Sequence, residues 1–145
     1  NSMFTHLTLN TNPLHFDARF TAQTKWKQIL VNSTFTLALV VGMSVPDVSE
    51  NAMANLGWDE VKLPSPVFFG DTLYCETEVL SKRESNSYPN AGIVQVRSRG
   101  INQDGKVVID YKRSVMVYKE SSLGCLRRDK PKLLCSLQDV KIFTS

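Results

Sequence analysis

The chain has 145 residues, of which 42% are hydrophobic and 21% charged, the size and composition of a single globular domain with a substantial core. Its formal charge of +3 arises entirely after residue 120, so residues 1–120 are neutral on balance, which argues against a nucleic-acid-binding surface. Three cysteines without metal-ligand spacing indicate a reducing compartment, and no run is long and apolar enough to span a membrane.

The first part of the chain is predicted to be helical. Residues 1–8 are expected to form the last turns of a helix, and a second short helix is predicted over residues 17–28. The hydrophobic run 33–45 is predicted to be a buried helix, because apolar residues surround its whole circumference and Asn32 precedes it as a cap. Pro46 is expected to end or bend this helix.

The second part of the chain is predicted to form an antiparallel sheet. A loop or a helix end is expected over 49–55 and a strand over 56–63. Three longer segments alternate between apolar and polar residues, which is typical of strands; they are 72–82, 93–101 and 107–118. Asp104 and Gly105 predict a hairpin turn between the last two. A sheet with one polar face needs an apolar partner on the other, and the helix over 33–45 is the candidate.

Polar residues concentrate in the loop between the first two helices. Asn10, Asn12, His15 and Asp17 lie within eight residues, and Pro13 shapes the backbone by fixing its own φ and restricting the residue before it. A loop that gathers polar groups and one of only two histidines is a candidate functional site. A purely structural interpretation is equally open, with an Asx turn at an asparagine and His15 in the core.

This loop resembles the active-site loop of the MaoC-like hydratases, the R-specific enoyl-CoA hydratases of the hot-dog fold. The matching residues are Asn-Pro-Leu-His-Phe-Asp at 12–17, Phe20, Thr24 and Pro-Val-x-x-Gly-Asp-Thr-Leu at 66–73. Residues 4–17 and 31–59 are most similar to the mesaconyl-CoA hydratase or methylmalyl-CoA dehydratase branch. The resemblance covers residues 3–119 and implies an α+β hot-dog fold, in which an antiparallel sheet wraps around a central hydrophobic helix.

The resemblance also implies the site residues. His15 matches the catalytic histidine, but Asn10 occupies the position of the aspartate in the family pattern Asp-x-Asn-Pro-x-His. An amide can orient water but has no accessible basic form. The thioester oxygen is expected at the backbone N–H of Ser33, where the helix dipole favours a developing oxyanion. Asn12 and Asn32 are expected beside it as scaffold and substrate-binding residues.

Two functions from different classes therefore remain open. The first is a hydratase or dehydratase of an acyl-CoA thioester that acts through His15 and Asn10. The second is a hot-dog module that lost catalysis because of Asn10 and binds acyl-CoA or serves in assembly. A thioesterase is a third alternative, which the Asn-Pro-Leu-His loop disfavours. No metal or cofactor is expected beyond the CoA thioester substrate, because the two histidines have no ligand cluster around them.

The resemblance further implies a homodimer whose sheets join edge to edge, with Arg97, Arg99 and Lys112 as candidates for CoA phosphate binding by composition. Residues 1–120 are expected to form the hot-dog domain, without the first strand that is usual in the family. Residues 121–145 are expected to be a basic tail, disordered or loosely docked. The expected location is intracellular and cytoplasmic, with mitochondria as the alternative because the N-terminus resembles that of a truncated chain.

Overall fold

The computed structural model describes residues 1–119 and the backbone of residues 140–141. Three α-helices precede the sheet, together with a 3₁₀ turn at Pro13–His15 and a π-helical segment at Val45–Ser49. The helices are α1 (Ser2–Leu7), α2 (Ala18–Ala22) and α3 (Ser33–Met43). The strands are β1 (Ala52–Lys62), β2 (Thr72–Glu84), β3 (Ala91–Asn102), β4 (Val107–Tyr118) and β5 (Val140–Lys141).

The strands form one antiparallel sheet in the order β1-β4-β3-β2-β5. The three long strands predicted from alternation are confirmed as β2, β3 and β4. The predicted hairpin turn between β3 and β4 is also confirmed, with Gly105 at a φ of +75° that favours glycine. The loop predicted over 49–55 is partly wrong, since β1 begins at Ala52. The backbone hydrogen-bond partners of β1 belong to β4. Because β4 is distant in the sequence, no local sequence pattern indicates this pairing.

Helix α3 packs on one face of this sheet and forms the core with it, as the hot-dog fold requires. Val40, Leu73, Ile109 and Tyr111 are completely buried there. Gly100 permits the close approach, because a Cβ atom at this position would lie 2.8 Å from side-chain carbons of both Val40 and Ile109. The α+β hot-dog fold with a central hydrophobic helix is therefore confirmed.

The helical predictions need two corrections. Helix α2 ends at Ala22, well before residue 28, and Lys27 has a φ of +60° that a helix cannot accommodate. Helix α3 is buried only on one side, because Ala38 and Gly42 are exposed on the side away from the sheet. One sheet can cover only one side of a helix, although the apolar pattern of this helix continues around it.

The predicted tail, 121–145, lies outside the described residues apart from Val140–Lys141, which pair with the start of β2. The domain boundary near residue 120 therefore stays a prediction. Within the described residues, no helix is long and apolar enough to cross a membrane.

Candidate active site

The backbone of Asn10 is fixed by the end of α1. The N–H of Leu9 donates to the carbonyl of His6 (3.0 Å), and the N–H of Asn10 donates to the carbonyl of Thr5 (3.0 Å). This pair of bonds is the Schellman ending of a helix, which usually places glycine at the left-handed position. Leu9 occupies that position with a φ of +56°. The loop thus begins from a defined backbone conformation.

Side chains of the loop fold it into consecutive turns. Oδ1 of Asn10 accepts from the N–H of Asn12 (3.0 Å), and Oδ1 of Asn12 accepts from the N–H of Leu14 (3.1 Å). Asp17 caps α2 by accepting from the N–H of Phe20 (2.9 Å). The Asx turns of the structural interpretation are therefore present. They leave the amide Nδ2 of Asn10 and the second lone pair of its Oδ1 for other contacts.

His15 is buried, with 9% of its surface exposed. Its Nδ1 lies 2.9 Å from the carbonyl oxygen of Leu30. A carbonyl oxygen can only accept a hydrogen bond, so Nδ1 carries the proton. In the neutral ring Nε2 is then unprotonated and able to accept a proton, which is the tautomer that a general base needs.

A short extended segment joins this loop to the start of α3. The N–H of Leu30 donates to the carbonyl of Leu14 (3.0 Å), and the N–H of Val31 donates to the carbonyl of Val67 (2.8 Å). The loop, the extended segment and the turn before β2 therefore lie side by side. Because α3 begins immediately after this segment, the imidazole of His15 is anchored three residues before Ser33.

The start of α3 is capped by Asn32. Its Oδ1 accepts from the N–H and the hydroxyl of Thr34 (3.0 and 2.7 Å), and its Nδ2 donates to the hydroxyl of Thr5 (3.3 Å). Asn32 is only 2% exposed, so its side chain holds the helix end rather than facing a ligand. Ser33, by contrast, is exposed, and its first-turn N–H has no acceptor within the helix. Among the residues that the structure describes, this N–H has no hydrogen-bond partner, so it could bind an oxyanion.

A cavity of about 290 Å³ opens beside Ser33. Trp26, Leu30, Ser33 and Thr36 line one part of it, and the segment 63–67 lines the rest. The walls are mainly apolar and carry serine and threonine residues, which suits the carbon chain and the carbonyl of an acyl thioester. The run at 66–73, recognised in the sequence, thus contributes to this wall through its first two residues.

One cation near the cavity was missed by the sequence reasoning. The ammonium of Lys25 lies 4.5 Å from the ring centroid of Trp26, and this ring lines the cavity. A cation over an indole face is attracted by the ring quadrupole. In the sequence, only the adjacency of Lys25 and Trp26 could have indicated this contact. Adjacency does not predict a cation near the site unless Trp26 is known to line the cavity.

The structure does not bring the expected CoA phosphate ligands Arg97, Arg99 and Lys112 to the cavity at Ser33, and their role stays a prediction. They lie on the opposite face of the sheet from the buried Val96 and Ser98, and therefore away from α3. Each is paired with a carboxylate on a neighbouring strand, at nitrogen–oxygen distances of 2.6 Å (Arg97–Asp110), 2.7 Å (Arg99–Glu76) and 2.5 Å (Lys112–Glu60). The alternation of apolar and polar residues along a strand does not reveal which face of the sheet lies towards the candidate site.

The predicted site residues therefore separate into groups. His15 and Ser33 flank the same extended segment, and Ser33 lines the cavity. Asn10 and Asn12 shape the loop, and Asn32 caps α3. Within the described part of the chain, no group of three histidine, cysteine or acidic residues could hold a metal ion.

Comparison with known proteins finds relatives that are named as hydratases or dehydratases. The mesaconyl-CoA hydratase of Cereibacter sphaeroides is 47% identical over 92 residues, which are 63% of this chain and 26% of that protein. The β-methylmalyl-CoA dehydratase of Chloroflexus aurantiacus is 40% identical over 89 residues, which are 61% of this chain and 25% of that protein. This chain therefore spans about a quarter of the length of these two relatives.

Solved structures agree in fold. A putative MaoC domain protein dehydratase from Chloroflexus aurantiacus superposes with a TM-score of 0.77 at 30% identity, covering 94% of this chain and 38% of that one. The (R)-hydratase of A. caviae superposes with a TM-score of 0.68 at 26% identity, covering 79% and 82%. The sequence model of the MaoC-like domain matches residues 1–99. By fold, loop and sequence, the chain belongs to the MaoC-like domain family.

Proposed function

We propose that this chain is the catalytic hot-dog domain of an acyl-CoA hydratase or dehydratase. The observation that carries the proposal is the hydrogen bond from Nδ1 of His15 to the carbonyl of Leu30, three residues before Ser33, which leaves Nε2 without a proton and able to act as a base. The backbone N–H of the exposed Ser33 is the proposed oxyanion site, and the mainly apolar cavity that Ser33 lines gives room for an acyl group. The activities of the relatives named above support the same reaction class.

In the proposed hydration, Nε2 of His15 takes a proton from water as the hydroxyl oxygen bonds to the β carbon of the enoyl thioester. The electron pair of the double bond moves towards the thioester carbonyl, whose oxygen is stabilised by the N–H of Ser33. The imidazolium then returns its proton to the α carbon. Asn10 orients the water but takes no proton. Dehydration is the reverse sequence.

The assay is the loss of enoyl-thioester absorbance with crotonyl-CoA and with mesaconyl-CoA. We expect His15→Ala to lower the rate on the order of a hundred- to ten-thousand-fold, the usual contribution of a general acid–base group. Asn86→Ala is the control, because Asn86 is exposed between β2 and β3, away from the loop, and should leave the rate unchanged. Equal activity of wild type and His15→Ala would contradict the proposed mechanism.

A catalytically impaired module is the second candidate, and the observation in its favour is Asn10 in place of an aspartate. In that case the wild-type chain binds acyl-CoA without hydrating it. An inactive wild type that binds crotonyl-CoA in calorimetry would favour this alternative over the hydratase.

We also propose that the chain forms a homodimer through β1. One edge of β1 pairs with β4, and the strand exposes several large apolar side chains with 38–47% of their surface accessible; they are Met53, Leu56, Trp58 and Val61. An apolar edge strand is a template for pairing with another chain. Sedimentation should give a dimer for the wild type and a monomer for Leu56→Lys, whereas a wild-type monomer would argue against a homodimer.

Residues 1–120 constitute the proposed catalytic domain. Because CoA thioesters are intracellular metabolites, the proposed location is the cytoplasm, with mitochondria as the alternative; fractionation that finds the protein outside cells would contradict it.

A further inference from the structure

The side chain of Asn1 links the two halves of the candidate active site. Its Nδ2 donates to the carbonyl oxygen of His15 (2.7 Å), and its Oδ1 accepts from the backbone N–H of Asn32 (3.0 Å). One amide therefore connects the loop that carries the imidazole to the residue that caps α3. The two bonded groups are far apart in the sequence and are adjacent only in the fold.

The side chain of Asn1, which directly precedes α1, makes no capping bond to that helix. Its amide satisfies a carbonyl and an N–H at the candidate site instead, and neither of these groups belongs to α1.

A second residue of α1 supports the same helix cap. The hydroxyl of Thr5 accepts from Nδ2 of Asn32 (3.3 Å), and Thr5 is completely buried. Asn1 and Thr5 are four residues apart, so they share one face of α1. This face therefore contacts both the backbone and the side chain of Asn32.

We propose that Asn1 is a positioning residue, which with Thr5 sets the distance between the imidazole of His15 and the N–H of Ser33. The inference rests on the proposed hydratase function. Asn1 contacts no reacting atom in this scheme and acts only through His15 and Asn32. Small displacements of reacting groups have large effects on rate, so a loosened bridge should lower kcat much more than it weakens substrate binding.

The test compares Asn1→Ala and Asn1→Asp with the wild type. Asn1→Asp keeps an acceptor for the N–H of Asn32 but removes the donor to the carbonyl of His15. We expect both variants to lower kcat at least tenfold while KM changes less than threefold. Asn86→Asp, an exposed asparagine between β2 and β3, is the matched control and should change neither constant.

A second readout does not depend on activity. In nitrogen NMR of the histidine rings, the Nδ1 proton of His15 should exchange with water at least tenfold faster in Asn1→Ala than in the wild type, whereas Asn86→Asp should leave this exchange unchanged. Thr5→Ser, which retains the hydroxyl, should keep both the slow exchange and the wild-type kcat.

The outcomes separate the two proposals. An active wild type with unchanged kcat in both Asn1 variants overturns the positioning role, as does a fall in kcat matched by an equal rise in KM. An inactive wild type is a failure of the proposed function, and the NMR measurement then decides alone. Unchanged Nδ1 exchange in Asn1→Ala overturns the inference, and accelerated exchange supports it.

Discussion

Nδ1 of His15 donates to the carbonyl oxygen of Leu30 across 2.9 Å. This single contact fixes the tautomer of the ring and anchors it to the segment that leads into α3. Because the acceptor is a backbone atom, no side-chain substitution at position 30 removes it directly. Substitutions at other positions of the candidate site therefore test how much of the hydration rate the imidazole of His15 supports without a neighbouring carboxylate.

Asn10→Asp should increase the hydration rate of crotonyl-CoA. A carboxylate at this position can accept the proton of water, which the amide cannot, and we expect an increase on the order of tenfold to a thousandfold in kcat. The Asx turn should persist, since the aspartate oxygen can still accept from the N–H of Asn12. Asn12→Asp is the control and should give no increase; an unchanged or lower rate in Asn10→Asp would contradict the role assigned to position 10.

Gly100→Ala should destabilise the fold. The added Cβ would lie 2.8 Å from side-chain carbons of Val40 and Ile109 in the core between α3 and the sheet. Overpacking of this kind costs about 1–3 kcal/mol in the free energy of unfolding, measurable by urea denaturation. Gly42→Ala is the control, because its Cβ would meet nothing within 4 Å, and it should stabilise the helix by roughly 0.5–1 kcal/mol. If Gly100→Ala and Gly42→Ala changed the free energy of unfolding equally, the close packing at Gly100 would not determine the effect.

Tyr111→Phe should leave the fold as stable or make it more stable. The hydroxyl of Tyr111 is completely buried, and although the hydroxyls of Ser44 and Ser98 lie near it, none makes a hydrogen bond of good geometry with it within the described residues. Burial raises the pKa of this hydroxyl. Removing an unsatisfied buried hydroxyl should increase the free energy of unfolding by up to about 1 kcal/mol. Denaturation at neutral pH checks this, and a loss larger than about 1 kcal/mol would mean that the hydroxyl has a partner.

Asp110→Asn should reveal a pH-dependent contribution of the pair with Arg97. Two hydrogen bonds from Arg97, at 2.9 and 2.6 Å, hold the pKa of Asp110 below its usual value. A lowered folded-state pKa gives stability that is present above the unfolded pKa, about 3.9, and is lost as the pH falls through the folded-state value. The wild type should exceed the variant by up to about 1 kcal/mol at pH 7, because the pair is partly exposed, and the difference should vanish in strong acid. If the difference in the free energy of unfolding between the wild type and Asp110→Asn did not depend on pH, it would result from packing and not from the ion pair.

Much of the fold is readable from local sequence. Alternation predicted β2, β3 and β4, and Asp104-Gly105 predicted their last turn, because these signals depend on neighbours a few residues away. The loop motif around His15 identified the family. The same local signals failed for the end of α2 and the start of β1, where the left-handed backbone of Lys27 and the pairing with β4 decide the structure.

The sequence by itself determined the strands, the central helix, the polar loop and the family. The tertiary structure alone decided which distant residues contact one another. Asn1 meets His15 and Asn32, and the buried Arg113 meets Asn55 at 2.7 Å, 58 residues away. The physical reason is range: propensity and periodicity act between neighbours in the chain, whereas hydrogen bonds and burial join segments that only folding brings together.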